Sequence, residues 1–239
     1  MTPLPTPTCA LAIGAHPDDI EFECGATLAK WAAAGCEVHH VVCTDGSKGT
    51  WDESADTVAL IGVREVEQRE AARRLGTTGA VHFLGEVDGE LTSDLRVRRE
   101  VARIIREVKP TVVLGHDPWK RWRLHPDHRH AGFLAVEGIV AARDPFFFPE
   151  LDLPRHRPDS LLLFETEAPT HIEDVGDFVD HKVEALLAHE SQFETTMIIT
   201  NEPDSETAAF RERELEQMRA SARDHPFEFG EAYHRIDDL

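Results

Sequence analysis

Basic residues are scarce in this chain: 25 Lys and Arg stand against 45 Asp and Glu, a formal net charge of −20, and only five residues are lysine. Such an excess repels phosphate backbones and anionic headgroups, which excludes nucleic acid or an anionic membrane as the main partner. No apolar run approaches the roughly 20 residues needed to span a bilayer. No basic segment precedes "CALAIGA", and cleaving that run as a signal peptide would delete a core strand. The four cysteines, Cys9, Cys24, Cys36 and Cys43, form no C-x-x-C pair, and three of them sit in apolar patterns as small buried residues do. Neither GxGxxG nor a P-loop follows the first apolar run, which counts against a dinucleotide or nucleotide-triphosphate site. There is no internal repeat and no low-complexity tract. These absences together lead us to expect a soluble, unprocessed cytoplasmic protein, with residues 1–239 forming a single domain.

What is present alternates short β-branched runs with longer helical patterns, the signature of βαβ units and a parallel sheet. Strands are expected at 9–14, 37–44, 80–85, 111–115 and 161–166. Helices are expected at 26–34, 57–75, 94–108, 127–142, 176–190 and 205–222. The expected fold class is therefore α/β, a Rossmann-like, mostly parallel sheet flanked by helices. In an open parallel sheet ligands bind beyond the carboxyl ends of the strands, and in this sequence the residues just after the first four strands are unusually polar. "HPDD", "DGSKGTWDE", "EVDGEL" and "HDPWKRWRLHPDH" bring His16, Asp18, Asp19, Asp45, Asp88, His116, Asp117, His125 and His128 to one rim.

Adjacent carboxylates beside a histidine at a buried strand end are costly unless a cation is shared between them. In "LHPDHRH", Pro126 suits the first helical position, so His125 falls at the cap and His128 one turn later on the same face. Two histidines and one carboxylate with open positions suit Zn²⁺ as a hydrolytic centre, or Fe²⁺ in a facial-triad oxygenase. The spare carboxylate favours hydrolysis, which needs a base beside the activated water. His16, Asp19 and His128 are therefore read as ligands and Asp18 as the general base. His116, at a strand end, is a candidate for orienting one of the ligands. His39 and His40 lie within a strand, on opposite faces, and are read as ordinary hydrogen-bonded or surface histidines.

Several stretches together resemble the PIG-L/LmbE-like family of zinc-dependent N-acetylglucosaminyl deacetylases. They are "AHPDD" with Glu21, Gly25 and Thr27 opening the first helix, "RxxE" at 64–67 followed by "LG", "DGEL" at 88–91 and "HPDH" at 125–128. "K...AL..H.SQ" (182–192) and "GEAYHRI" (230–236) fit its C-terminal part. The resemblance implies Zn²⁺ on His16, Asp19 and His128, with Asp18 as base; Fe²⁺ stays open from the donor set alone. It gives His125 the task of stabilising the oxyanion or protonating the leaving amine, and it places Arg64 and Asp88 at the substrate pocket. The implied activity is removal of an acetyl group from an N-acetylglucosamine-type conjugate, so the expected partner is a small amino-sugar, with self-association left open. The alternatives are an amidase for a larger thiol conjugate or antibiotic intermediate, and the Fe²⁺ oxygenase.

Two loops carry further expectations. "DGSKGTWDE" (45–53) is read either as a cover hinged at Gly46 and Gly49 with Trp51 as its apolar face, or as an ordinary polar turn. "DPWKRWR" (117–123), with two Trp and three basic residues in an acidic protein, is read as a recognition patch for an anionic or sugar-ring substrate, Arg123 included.

Overall fold

The structure, a computed structural model, describes residues 4–239. The parallel strands are β1 (Cys9–Gly14), β2 (Glu37–Thr44), β3 (Val81–Glu86), β4 (Val112–His116) and β5 (Ser160–Phe164). Each lies within a residue or two of its expected place; β1, β4 and β5, buried along their whole length, read as the near-continuous apolar runs of strands covered on both faces. The helices are α1 (Asp19–Ala33), α2 (Thr57–Arg74), α3 (Leu95–Val108), α4 (Pro126–Arg143), α5 (Val179–Leu186) and α6 (Pro203–Ala222). Two further strands, the short β6 (His171–Asp174) and β7 (Gly230–Ile236), lie outside the expected set. Polar residues interrupt both, so neither shows an apolar run. The segment expected as one helix over 176–190 is broken into a 3₁₀ turn, the short α5, and further irregular turns through Met197.

The sheet order is β3-β2-β1-β4-β5-β7-β6. Strands β1 to β5 run parallel, β7 pairs antiparallel with β5, and β6 antiparallel with β7. The chain leaves β1 in one direction to β2 and β3 and returns on the other side with β4 and β5. The crevice beyond the ends of β1 and β4 is thus the point where the strand order reverses. Helices α3 and α4 bury Val101, Ile105, Leu134 and Ile139 against one face of the sheet, while α1 and α5 bury Leu28, Trp31 and Ala185 against the other. Among the described residues no helix is long and apolar enough to cross a membrane.

Local chemistry sets where the helices begin. The carboxylates of Asp56 and Asp94 accept hydrogen bonds from the first free N–H groups of α2 and α3, the usual N-cap device. Helix α1 is two pieces: Cys24 leaves the helical region (φ −144°), and the N–H groups of Ala26 and Thr27, freed by the kink, donate to the Glu231 carboxylate at 3.2 and 2.8 Å. The helical pattern anticipated from residue 26 is the second piece. Helix α4 lies directly on β4, since a Cβ at Gly132 would stand 2.5 Å from the His116 carbonyl oxygen. That close approach brings the N-terminus of α4, with His125 and His128, over the end of the sheet.

Candidate functional site

The turn after β1 folds back on itself. The His16 N–H donates to Asp19 Oδ2 at 2.7 Å, and Asp18 is held at φ 109°, a conformation that costs a non-glycine residue on the order of 1–3 kcal/mol. Three contacts from α2 hold it there. The Asp18 N–H donates to Gln68 Oε1 at 3.0 Å, and the Arg64 guanidinium donates to the Pro17 carbonyl and to Asp18 Oδ2, the latter at 3.3 Å. Gln68 in turn donates to Glu21 at 2.7 Å. The two carboxylates of the pair therefore diverge, Asp18 towards Arg64 and Asp19 towards the histidines.

His16, Asp19 and His128 each offer a ligand atom, all within 4.8 Å of one another. Asp19 Oδ1 faces His128 Nε2 at 3.4 Å, while its Oδ2 lies 3.3 Å from His16 Nδ1. The far nitrogen of each ring faces a carboxylate: His16 Nε2 lies 3.2 Å from Asp127 Oδ2 and His128 Nδ1 3.4 Å from Glu165 Oε2. His16, whose outer N–H is taken by a carboxylate, presents its inner lone pair, the arrangement metal-binding histidines use, while His128 Nδ1 lies nearer to the Arg123 guanidinium, a donor, at 2.9 Å. Two imidazole nitrogens and one carboxylate oxygen, so oriented, fit a divalent ion of the zinc or iron type.

Asp127 is fully buried and also accepts from the N–H groups of Gly89 and Leu91 at 2.6 and 3.2 Å. His116 connects Glu165, 2.8 Å from its Nδ1, to Asp19 Oδ2, 3.3 Å from its Nε2, so the expected orienting histidine stands behind Asp19. Burial alone would raise Glu165, but His116, His128 and Arg123 hold it well below the usual carboxylate range. Neither Asp127 nor Glu165 was singled out as a site residue from the sequence. Asp127 was detectable, lying between two candidate histidines. Glu165 follows an apolar strand to the rim, as the other site residues do.

Burial pushes the Asp18 carboxyl up to about 6, with the neighbouring Asp19 charge adding to it and Arg64 opposing. His125 caps α4, its Nδ1 accepting from the Asp127 N–H at 3.3 Å, so the proton of the neutral ring sits on Nε2. Burial, then the charges of His16 and His128, lower its pKa against the opposing pull of Asp127 and Asp88.

These groups line one cavity of about 560 Å³ together with Phe22, Glu23, Lys48, Trp51 and Gln192. Arg64 and Asp88 are on its wall, and Asp88 Oδ1 stands 3.3 Å from His16 Nε2. Arg123 is a correction: it is buried, its guanidinium pairs with Glu165 and lies 2.9 Å from His128 Nδ1, and no residue of 117–123 lines the cavity. Trp119 and Trp122 of the same segment are exposed. In the 45–53 loop, Lys48 to Trp51 line the cavity, but the glycines answer to Arg64: a Cβ at Gly49 would lie 2.4 Å from its Nη1. Asp45 and Asp117 hold their own loops by accepting from the N–H groups of Ser47 and Trp119.

Residues 11–139 match the PIG-L family, GlcNAc-PI de-N-acetylase. The chain is 36% identical over 186 residues to a diacetylchitobiose deacetylase of Thermococcus kodakarensis, covering 77% of this chain and 69% of that protein. It is 33% identical over 168 residues to a 1D-myo-inositol 2-acetamido-2-deoxy-alpha-D-glucopyranoside deacetylase of Streptomyces avermitilis, covering 60% of this chain and 57% of that one. The fold superimposes on the N,N′-diacetylchitobiose deacetylase of Pyrococcus horikoshii, solved with an inhibitor, with a TM-score of 0.87 and 30% identity over 97% of this chain and 84% of that one. A family match across more than half of the chain, together with relatives at this identity and coverage, means that the chain belongs to the PIG-L family of de-N-acetylases.

Proposed function

We propose that the protein is a zinc-dependent hydrolase that removes an acetyl group from an N-acetylglucosamine-type substrate, with His16, Asp19 and His128 holding the ion. The observation that carries this reading is the convergence of one ligand atom from each of His16, Asp19 and His128, with His16 braced from behind by the Asp127 carboxylate. The relatives named as deacetylases of N-acetylated amino-sugars supply the substrate class. A bound divalent ion supplies Lewis-acid polarisation of the acetamide carbonyl and lowers the pKa of water from about 15.7 towards about 7.

The chain's own residues do the rest. Asp18, turned away from the ligand set and held by Arg64 and Gln68, takes the proton from the attacking water as general base. His125 offers the proton on Nε2 as a hydrogen bond to the oxygen on which charge develops, an interaction stronger in the transition state than with the planar amide. The proton that Asp18 has taken then goes to the departing nitrogen, because an amide anion cannot leave. The spare base separates this reading from the oxygenase, which has no task for Asp18.

The test is acetate release from N-acetylglucosamine and N,N′-diacetylchitobiose by protein stripped with a chelator and reloaded with Zn²⁺ or Fe²⁺. Loss on stripping and recovery on reloading are expected. Full turnover by metal-free protein, or no acetate from any N-acetylated sugar, would overturn the reading.

A further inference from the structure

Glu23 lines the main cavity and also a second cavity of about 200 Å³, the two sharing Phe22 and Glu23 as a wall. It lies one helical turn after Asp19, in the part of α1 before the kink at Cys24, so the two carboxyls share a face with Cβ atoms about 5–6 Å apart. Among the described residues Glu23 makes no hydrogen bond and no ion pair, and the nearby cations are already engaged. Lys182 donates to the Phe22 carbonyl and to Glu231, at 3.0 Å from the latter. Arg123 and Lys120 pair with Glu165. Burial, followed by the negative charge of Glu165 and then that of Asp19, pushes the carboxyl up to about 8 against the opposing charges of His116 and Lys182. The carboxyl is half-buried, carries no hydrogen bond from the protein, and opens onto the substrate cavity.

From this wall we infer that Glu23 is a specificity-determining residue that recognises a primary ammonium group of the bound amino-sugar. The inference rests on the proposed amino-sugar reading. An ammonium of this kind has two sources: a sugar unit next to the N-acetylated one that already carries a free amine, or the amine set free by the reaction itself. Either would give Glu23 the charge-assisted hydrogen bond the protein does not provide, an interaction roughly twice as strong as a neutral one. A hydroxyl in the same place would gain only the neutral bond.

Calorimetric titration of the Zn²⁺-loaded protein with glucosamine and with glucose, which has a hydroxyl in place of the amine, tests this without relying on turnover. The wild type is expected to prefer glucosamine by roughly tenfold or more, as a charged hydrogen bond over a neutral one implies. Glu23→Gln, which keeps the shape and cannot ionise when the ammonium binds, should bring the two affinities together. Should that variant fail to fold, the wild-type preference must still shrink as salt rises, since it is ionic. Comparing KM for N,N′-diacetylchitobiose and its mono-deacetylated form in wild type and Glu23→Gln identifies the source. A selective rise for the mono-deacetylated sugar places the amine on the neighbouring unit; a change confined to inhibition by glucosamine places it on the product. A glucosamine preference that survives in Glu23→Gln, or that is absent from the wild type, overturns the inference. Acetate release from N-acetylglucosamine in the same preparations shows separately whether the deacetylase reading stands.

Discussion

His16 Nε2 lies 3.2 Å from Oδ2 of Asp127, a carboxylate with no solvent exposure that also accepts two backbone N–H groups from the 86–91 loop. The contact fixes which nitrogen of His16 is free to bind an ion, and it ties the loop after β3 to the turn after β1. Asp127→Asn keeps the size but weakens the acceptor. Metal affinity, measured by competition with a chromophoric chelator, should fall by roughly 10–100-fold, as is usual when a carboxylate behind a metal-binding histidine is lost. Unchanged affinity would mean that Asp127 serves the loop alone.

The divergence of the Asp18–Asp19 pair predicts that two neighbouring substitutions behave differently. Asp18→Asn should retain metal and lose on the order of 10²–10⁴ in kcat, the contribution of one general base. Asp19→Asn should lose metal as well. Metal analysis beside single-substrate kinetics checks this, and equal metal loss in both variants would remove the distinction between base and ligand.

Gln68 touches neither the ligand atoms nor, by the lining of the cavity, the substrate. It holds the Asp18 backbone in its left-handed conformation and is itself held by Glu21. Gln68→Leu should therefore lower kcat by about tenfold or more, a misplacement effect, while KM and metal content stay near wild type. A rise in KM with kcat unchanged would place Gln68 in substrate binding instead.

Much of this site was legible before any coordinates. "HPDD" at a strand end and "HPDH" at a helix start fix both the residue types and their places on the rim, because strand ends and helix caps are local features of the chain. The strands β1 to β5 were legible for the same reason. Asp127 and Glu165 were harder, since what they do depends on which ring nitrogen they face across more than a hundred and about forty residues of sequence respectively. Arg123 was misjudged because a basic residue beside two tryptophans says nothing about Glu165, which arrives from β5 to pair with it. Strand β7 carries Glu231 to the kink in α1, a pairing over two hundred residues apart that no local pattern announces.

Glu231 yields a stability prediction. It accepts from Ala26 and Thr27, from Lys182 and from the Tyr233 hydroxyl. Glu231→Ala takes from the buried Lys182 its one close carboxylate and leaves it the Phe22 carbonyl and the more distant Glu214, at 4.0 Å. Breaking a buried pair from one side costs about 3–5 kcal/mol, and in a domain of this size each kcal/mol lowers Tm by about 2–4 °C. A fall in Tm of roughly ten degrees in scanning calorimetry is expected on those scales. A loss within a degree or two would show that the kink is held by packing.

Anomalous diffraction at the zinc absorption edge, from crystals of the Zn²⁺-loaded protein, locates the ion itself. The expected result is a peak about 2.0–2.2 Å from His16 Nδ1, an Asp19 oxygen and His128 Nε2, the distances of zinc–histidine and zinc–carboxylate bonds. A peak instead at the Cys9, Glu37 and His39 group or between His116 and Glu165, or no ordered ion at all, would contradict the assignment of His16, Asp19 and His128 as the metal centre.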